Sequence, residues 1–277
     1  MPLAPLPRPS LPRFSRALAF APHTGIAQLG TLPSDSTPGP RRTTTPQPLG
    51  HAPPRHPAPG RTPAPHPTEV AFKTVRLVLA SQSPARLSVL RSAGLDPAVV
   101  VSGVDEDAVA AALIDPAPAE LVTALAKAKA NAVVEMVSEP DAVIVACDSM
   151  LSIGGEMVGK PANAEVAKQR WAKMAGSSGV LLTGHAVVRL DGGQRTKEAS
   201  GTRSTTVHFA NPSQAEIDAY VATGEPLHVA GAFTLDALGG WFVEGVEGDP
   251  SSVIGISLPL LRQLLAEVGV SVTEMWK

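Results

Sequence analysis

From Val75 onward the chain alternates short apolar runs with segments of helical spacing. Arg76-Leu77-Val78-Leu79-Ala80 is an apolar run of strand length. Pro84 suits the first turn of a helix, Ser83 is a natural N-cap, and Gly94 stops the element after Leu87, Leu90 and Arg91. Ala98 to Val101 reads as a second strand, and Asp105-Glu106-Asp107 beyond it as a charged turn. A stripe of Leu121, Leu125, Ala128 and Ala132 predicts a long helix over 118–136. The unbroken apolar run 142–146 is the pattern of a central strand covered on both faces. Further helices are expected over 165–174, over 214–223 behind Ser213, and over 259–268. Residues 180–190 and 201–209 read as paired strands around an Asp191-Gly192-Gly193 turn. Strand–helix alternation followed by a hairpin predicts an α/β fold with a mixed twisted sheet flanked by helices. The expected division is an extension over 1–74 and a single domain over 75–277, long enough for one core.

Charge and composition separate the two parts. Residues 1–68 hold 18 of the 28 prolines, seven arginines, no lysine and one acid, Asp35, a net charge of +6. The total of −2 therefore leaves −8 on the remainder. Proline at that density removes backbone donors and fixes φ, so the arm is expected to be disordered, or to reflect an upstream start codon. It also opposes the amphipathic helix of a transit peptide, although the arm is rich in arginine and poor in acids. A nucleic-acid or membrane tether is the sharper reading of that charge. No apolar stretch is long enough to span a bilayer, and the one cysteine, Cys147, excludes an internal disulfide framework.

Candidate chemistry sits at strand ends. Ser81-Gln82-Ser83-Pro84-Ala85-Arg86 joins a strand to a helix whose free N–H groups and first-turn guanidinium suit phosphate. Asp148 follows an apolar strand, so it is expected at the carboxyl edge of the sheet, as a metal ligand or general base. Lys127 and Lys129 lie on the long helix, and Lys160 precedes Pro161 in a turn that would present its ammonium from a rigid loop. Cys147 reads as a core filler. His185, His208 and His228 lie in different elements without a Ser or Cys partner and read as structural. The glycine-rich segment 225–240 lacks P-loop spacing.

Taken together, five segments resemble the Maf family of nucleoside triphosphate pyrophosphatases. They are Leu79-Ala-Ser-Gln-Ser-Pro-Ala-Arg86, Leu125-Ala-Lys-Ala-Lys-Ala130, Ala146-Cys-Asp-Ser149 with Gly159-Lys-Pro161, Glu225-Pro-Leu-His-Val-Ala-Gly231, and Glu247-Gly-Asp-Pro-Ser-Ser-Val-Ile-Gly-Ile-Ser-Leu-Pro259. The resemblance covers about 75–267 in order and leaves the arm outside. It implies an elongated α/β domain with a deep central cleft. The implied reaction is hydrolysis between the α- and β-phosphates with a divalent metal, Mg²⁺ or Mn²⁺. The family's proton-accepting aspartate falls on Asp148, its phosphate-binding residues on Ser81, Arg86, Lys129 and Lys160, and its acid after the second strand on Glu106, a metal ligand with Asp148. Base preference is implied at Arg86, Ser149 and Asp236. At the last position, glutamine goes with uridine and thymidine triphosphates, and an acid with 7-methyl-guanosine triphosphate.

Four positions depart from the family pattern: Ala85 where a second basic residue is common, Ser149 for threonine, Val229 for lysine, and Gly179 for histidine. None removes the presumed base or the phosphate grip. The alternative reading is a non-catalytic nucleotide-sensing or division-regulating protein using the same cleft. Asp148, Arg86, Lys129 and Lys160 together favour the enzyme, because sensing alone needs no base. The expected partner is the triphosphate itself, with a homodimer as the assembly, no membrane or nucleic-acid partner, and a cytoplasmic location.

Overall fold

The computed structural model describes residues 75–277, so the expectations for the extension 1–74 lie outside the described residues. Strand β1 (Arg76–Leu79) leads into helix α1 (Pro84–Ser92), where Ser83 Oγ accepts from the Arg86 backbone N–H at 3.4 Å. Strand β2 (Ala98–Val99) runs parallel to β1. The acids expected in a charged turn instead open a short helix, α2 (Glu106–Ala111). Asp105 caps it by accepting from the Ala108 N–H at 3.0 Å, while Glu106 and Asp107 face the positive end of its dipole.

Helix α3 (Pro118–Val134) forms as expected, but its buried face differs from the Leu121–Leu125–Ala128–Ala132 stripe. Its most buried residues are Val122, Leu125, Ala126, Lys129, Ala130 and Val133. A lysine lies in the middle of that face, and hydropathy cannot place a lysine inward unless its partner is known.

Strand β3 (Asp141–Ile153) continues well beyond the expected 142–146. After a turn at Gly154 and Gly155, both at positive φ, β4 (Glu156–Val158) folds back on it. Helix α4 (Ala164–Met174) leads to β5 (Ser178–Asp191) and β6 (Gln194–Phe209), a hairpin longer than predicted at both ends. The chain then runs through α5 (Gln214–Ala222), β7 (Val243–Glu247), α6 (Pro250–Ile254) and α7 (Leu258–Glu267). The sheet order is β2-β1-β3-β5-β6-β7, with β4 also on β3. Pairs among β1, β2 and β3 are parallel and the rest antiparallel, so the sheet is mixed as predicted.

Alternate residues of β3 serve two cores. Val143, Val145 and Cys147 pack with Leu90 of α1 and with Leu261, Leu264 and Leu265 of α7. Ala142, Ile144 and Ala146 meet Ala126, Ala130 and Val133 of α3. A third core gathers Leu151, Trp171, Phe209, Tyr220 and Phe233. In it, Trp171 stands edge-on to Phe209 and Tyr220 and donates its Nε1–H to the Ala232 carbonyl at 2.8 Å. No helix among the described residues is long and apolar enough to cross a membrane.

The site follows from how β3 is paired. β5 occupies one edge of β3 along nearly its whole length. β1 and β4 therefore share the other edge, β1 ending at Val145 and β4 beginning at Leu151. Neither pairs with Ala146 to Met150. That break is a notch whose floor is β3, and diverging neighbours of this kind are where open α/β sheets bind ligands.

Candidate active site

Asp148 lies in the notch. It sits inside β3 rather than after it, which corrects the expected position; the edge beside it arises because β1 stops at Leu79. The residue is only 6% exposed, and its carboxylate accepts from Lys129 Nζ at 2.6 Å. The same ammonium lies 2.8 Å from Glu106 Oε1, so one cation holds two carboxylates that are far apart in the chain.

Ser149 faces the other side of the sheet from Asp148, as successive strand residues must. Arg86 Nη2 donates to Ser149 Oγ at 3.2 Å, Arg86 Nη1 to Ser81 Oγ at 3.2 Å, and Arg86 Nε to the Gly255 carbonyl at 2.9 Å. Gly255 permits that approach, since a Cβ there would lie 3.2 Å from Arg86 Cγ. Thr183 Oγ1 donates to the Ser252 carbonyl at 3.0 Å, which leaves the Ser149 hydroxyl to donate to Thr183 across 3.0 Å. These acceptors of Arg86 are all neutral, and no carboxylate pairs with it among the described residues. Its charge is oriented yet uncompensated, the condition for holding an anion.

Lys160 follows β4 on the opposite lip of the notch. Val158 pairs with Leu151, so the chain beyond it runs back alongside Met150 and Ser149. The Gly159 carbonyl accepts from Arg170 Nη1 at 2.6 Å and from the Gly231 N–H at 3.1 Å, which fixes the turn. The exposed Lys160 side chain makes no hydrogen bond or ion pair among the described residues. Asp236 is likewise exposed, in the loop after Phe233, and makes no such bond to the cluster. The structure thus joins Ser81, Arg86 and Ser149 in one network and Glu106, Lys129 and Asp148 in another. Lys160 and Asp236 stand outside both.

Sequence reading missed Thr183, which lies within an apolar strand and is revealed only by its register with Ser149. His185 and Cys147 are structural, as expected. His185 Nε2 accepts from the Ser257 N–H at 2.8 Å, and its Nδ1 lies 3.0 Å from the Thr183 carbonyl, so the proton sits on Nδ1 and the ring is neutral. Burial pushes its pKa down to about 4. Burial likewise pushes the Cys147 thiol up to about 12, leaving it inert at neutral pH.

The family described as "Maf-like protein" matches residues 76–268. The chain belongs to the Maf family. Relatives within it include proteins named "Nucleoside triphosphate pyrophosphatase" from Saccharopolyspora erythraea and Nocardia farcinica. The first is 67% identical over 205 residues, which span 73% of this chain and 97% of the relative. The second is 62% identical over 207 residues, 74% and 98%. A relative of the same name from Rhodococcus jostii is 61% identical over 203 residues, 72% and 95%. The Maf match begins at β1 and ends just after α7, so it contains every residue of both networks.

Proposed function

We infer that this Maf protein hydrolyses nucleoside triphosphates between the α- and β-phosphates, releasing a nucleoside monophosphate and pyrophosphate. The observation that carries the reading is the notch itself: a buried carboxylate, Asp148, paired with an ammonium, and on the other face of the same strand a guanidinium with no carboxylate partner among the described residues. A triphosphate brings about four negative charges, and Arg86, Lys129 and Lys160 supply matching cations from both lips. Ser81 adds a neutral donor, and the N-terminal dipole of α1 a partial positive charge.

In this scheme the incoming phosphates draw Lys129 toward themselves and free the Asp148 carboxylate. Asp148 then orients the attacking water and accepts its proton as the bond to phosphorus forms. Arg86 and Lys160 hold the departing pyrophosphate. Glu106 and Asp148 already share one cation, so the same pair suits a divalent metal. Among the described residues no cluster of three or more His, Cys, Asp or Glu forms, which matches the habit of Mg²⁺ to take one or two carboxylates plus phosphate oxygens and water. When bound, Mg²⁺ or Mn²⁺ would neutralise phosphate charge and polarise the phosphorus under attack.

Asp236 is the proposed base reader. A carboxylate only accepts hydrogen bonds, so it matches the N1–H and amino donors of a guanine-type edge and repels the carbonyl oxygens of uracil. The assembly we propose is a homodimer, and the location the cytoplasm, where nucleoside triphosphates are made and consumed. Pyrophosphate release should be measured with Mg²⁺ or Mn²⁺ across canonical and 7-methylated triphosphates. Turnover of guanine-type substrates is expected; tight binding without release would favour the nucleotide-sensing alternative.

A further inference from the structure

The loop that carries Asp236 is cinched around one carboxylate on a different element. Glu225 Oε1 accepts from Thr234 Oγ1 at 2.5 Å, from the Gly239 N–H at 3.0 Å and from the Tyr220 hydroxyl at 2.9 Å. Its Oε2 accepts from the Leu238 N–H at 3.2 Å. Thr234 lies two residues before Asp236, and Leu238 and Gly239 two and three after it. The clamp therefore closes on both sides of Asp236 and leaves its side chain exposed.

The loop is drawn so tight that glycine is required. A Cβ at Gly239 would lie 2.5 Å from the Tyr220 hydroxyl and 2.6 Å from the Thr234 nitrogen, and one at Gly240 would lie 2.7 Å from the Leu235 carbonyl oxygen. Burial alone would raise the Glu225 carboxyl; hydrogen bonds from Thr234, Gly239, Tyr220 and Leu238 outweigh it and hold the group below the ordinary carboxylate range. The segment also reaches the phosphate side of the site, because the Gly231 N–H donates to the carbonyl of Gly159, the residue before Lys160.

We propose that Glu225 is a positioning residue for base recognition: its carboxylate fixes the Thr234–Gly239 loop and so sets where Asp236 meets the nucleobase. The proposal rests on Asp236 reading the base. A glutamine in its place keeps the shape but turns one acceptor into a donor. That donor opposes the N–H and O–H groups now converging there, and the loop loses a fixed conformation. A free loop lets Asp236 sample many positions, which lowers discrimination between bases without touching the phosphate grip.

The test compares Glu225→Gln with the parent full-length chain in three measurements: kcat/KM for GTP and UTP, inhibition by inorganic tripolyphosphate, and thermal melting. Tripolyphosphate has no base, so it reports the phosphate site alone. The GTP-to-UTP ratio is expected to fall at least about fivefold, through KM more than kcat, while tripolyphosphate inhibition changes less than about twofold. Thr234→Val, which removes one donor and keeps the carboxylate, should lower the ratio in the same direction, and Thr234→Ser should restore it. If Glu225→Gln does not fold, the Thr234 pair decides. An unchanged ratio in folded variants overturns the proposal, as does a parallel loss of tripolyphosphate inhibition, which would mark a general structural role. A parent that releases pyrophosphate but shows no base preference overturns it while sparing the proposed function. A parent that releases none from any triphosphate overturns both.

Discussion

Gly184 stands directly across from Asp148 in the β3–β5 ladder, and a Cβ on it would lie 2.3 Å from the Val122 carbonyl oxygen. The bare glycine lets the backbone of α3 press onto the sheet. Val122 and Lys129 are seven residues apart, two helical turns along one face, so the same contact sets how deeply Lys129 reaches toward Asp148. Gly184→Ala must push α3 away, because the obstructing atoms are backbone. The expected cost is about 1–3 kcal/mol of stability, with a raised KM for triphosphate. Unchanged melting and KM would show that α3 is not seated by this glycine.

Among the described residues Lys129 is the only cation paired with the Asp148 carboxylate, and both side chains are about nine-tenths buried. Removing one partner of a buried pair leaves a desolvated charge. Lys129→Met is expected to lose about 3 kcal/mol in the absence of divalent metal, and Lys129→Arg considerably less. The half-exposed Glu106 adds little to that figure. Melting curves in a chelator check this, and equal stability of parent and Lys129→Met would remove the pair from the structural account.

The same two networks show what the sequence discloses and what it withholds. The Ser83 cap, Pro84, and the apolar run before Asp148 are local signals, and each formed the element its chemistry predicts. The length of β3 was hidden because residues 148–153 include polar groups whose strand state depends on β4 and β5. The inward rotation of α3 was hidden for a related reason: Lys129 is buried only because Asp148 and Glu106 meet it from other elements. Glu106 reads from the sequence as an acid after a strand, yet its helix depends on the Asp105 cap. The roles of Gly184 and Thr183 lie entirely in contacts between distant segments, and that of Glu225 in a loop that folds back onto it, so no spacing within the chain reports them.

Arg86 spends all three guanidinium nitrogens on separate acceptors. Lysine has a single head group and cannot reach Ser81, Ser149 and Gly255 together. Arg86→Lys should therefore raise the triphosphate KM about tenfold or more, equivalent to roughly 1.4 kcal/mol, with a smaller effect on melting. Steady-state kinetics of the folded variant provide the check. A KM equal to the parent's would make Arg86 a structural residue only.

His185 gives the fold an acid sensitivity. Its folded-state pKa of about 4 lies below the ordinary 6.5, so between those values the unfolded chain binds a proton that the folded chain refuses. Stability from this group is complete above about pH 6.5 and drains away as the pH falls toward 4, by roughly 3 kcal/mol in all. Burial would raise the Asp249 carboxyl, but hydrogen bonds from Ser251 and Ser257 hold it below 3.8, so its contribution is lost only at still lower pH. Melting of the parent should fall more steeply between pH 6.5 and 4.5 than melting of His185→Gln. Parallel curves would show that the ring titrates alike in both states.

Pyrophosphate release by Asp148→Asn, measured beside triphosphate binding, tests the central claim most directly. The amide keeps the size of the carboxylate and can still meet Lys129 through its oxygen, but it cannot accept the proton of the attacking water. The account predicts retained binding and turnover lower by about 10²-fold or more. An Asn variant that releases pyrophosphate as fast as the parent would contradict it.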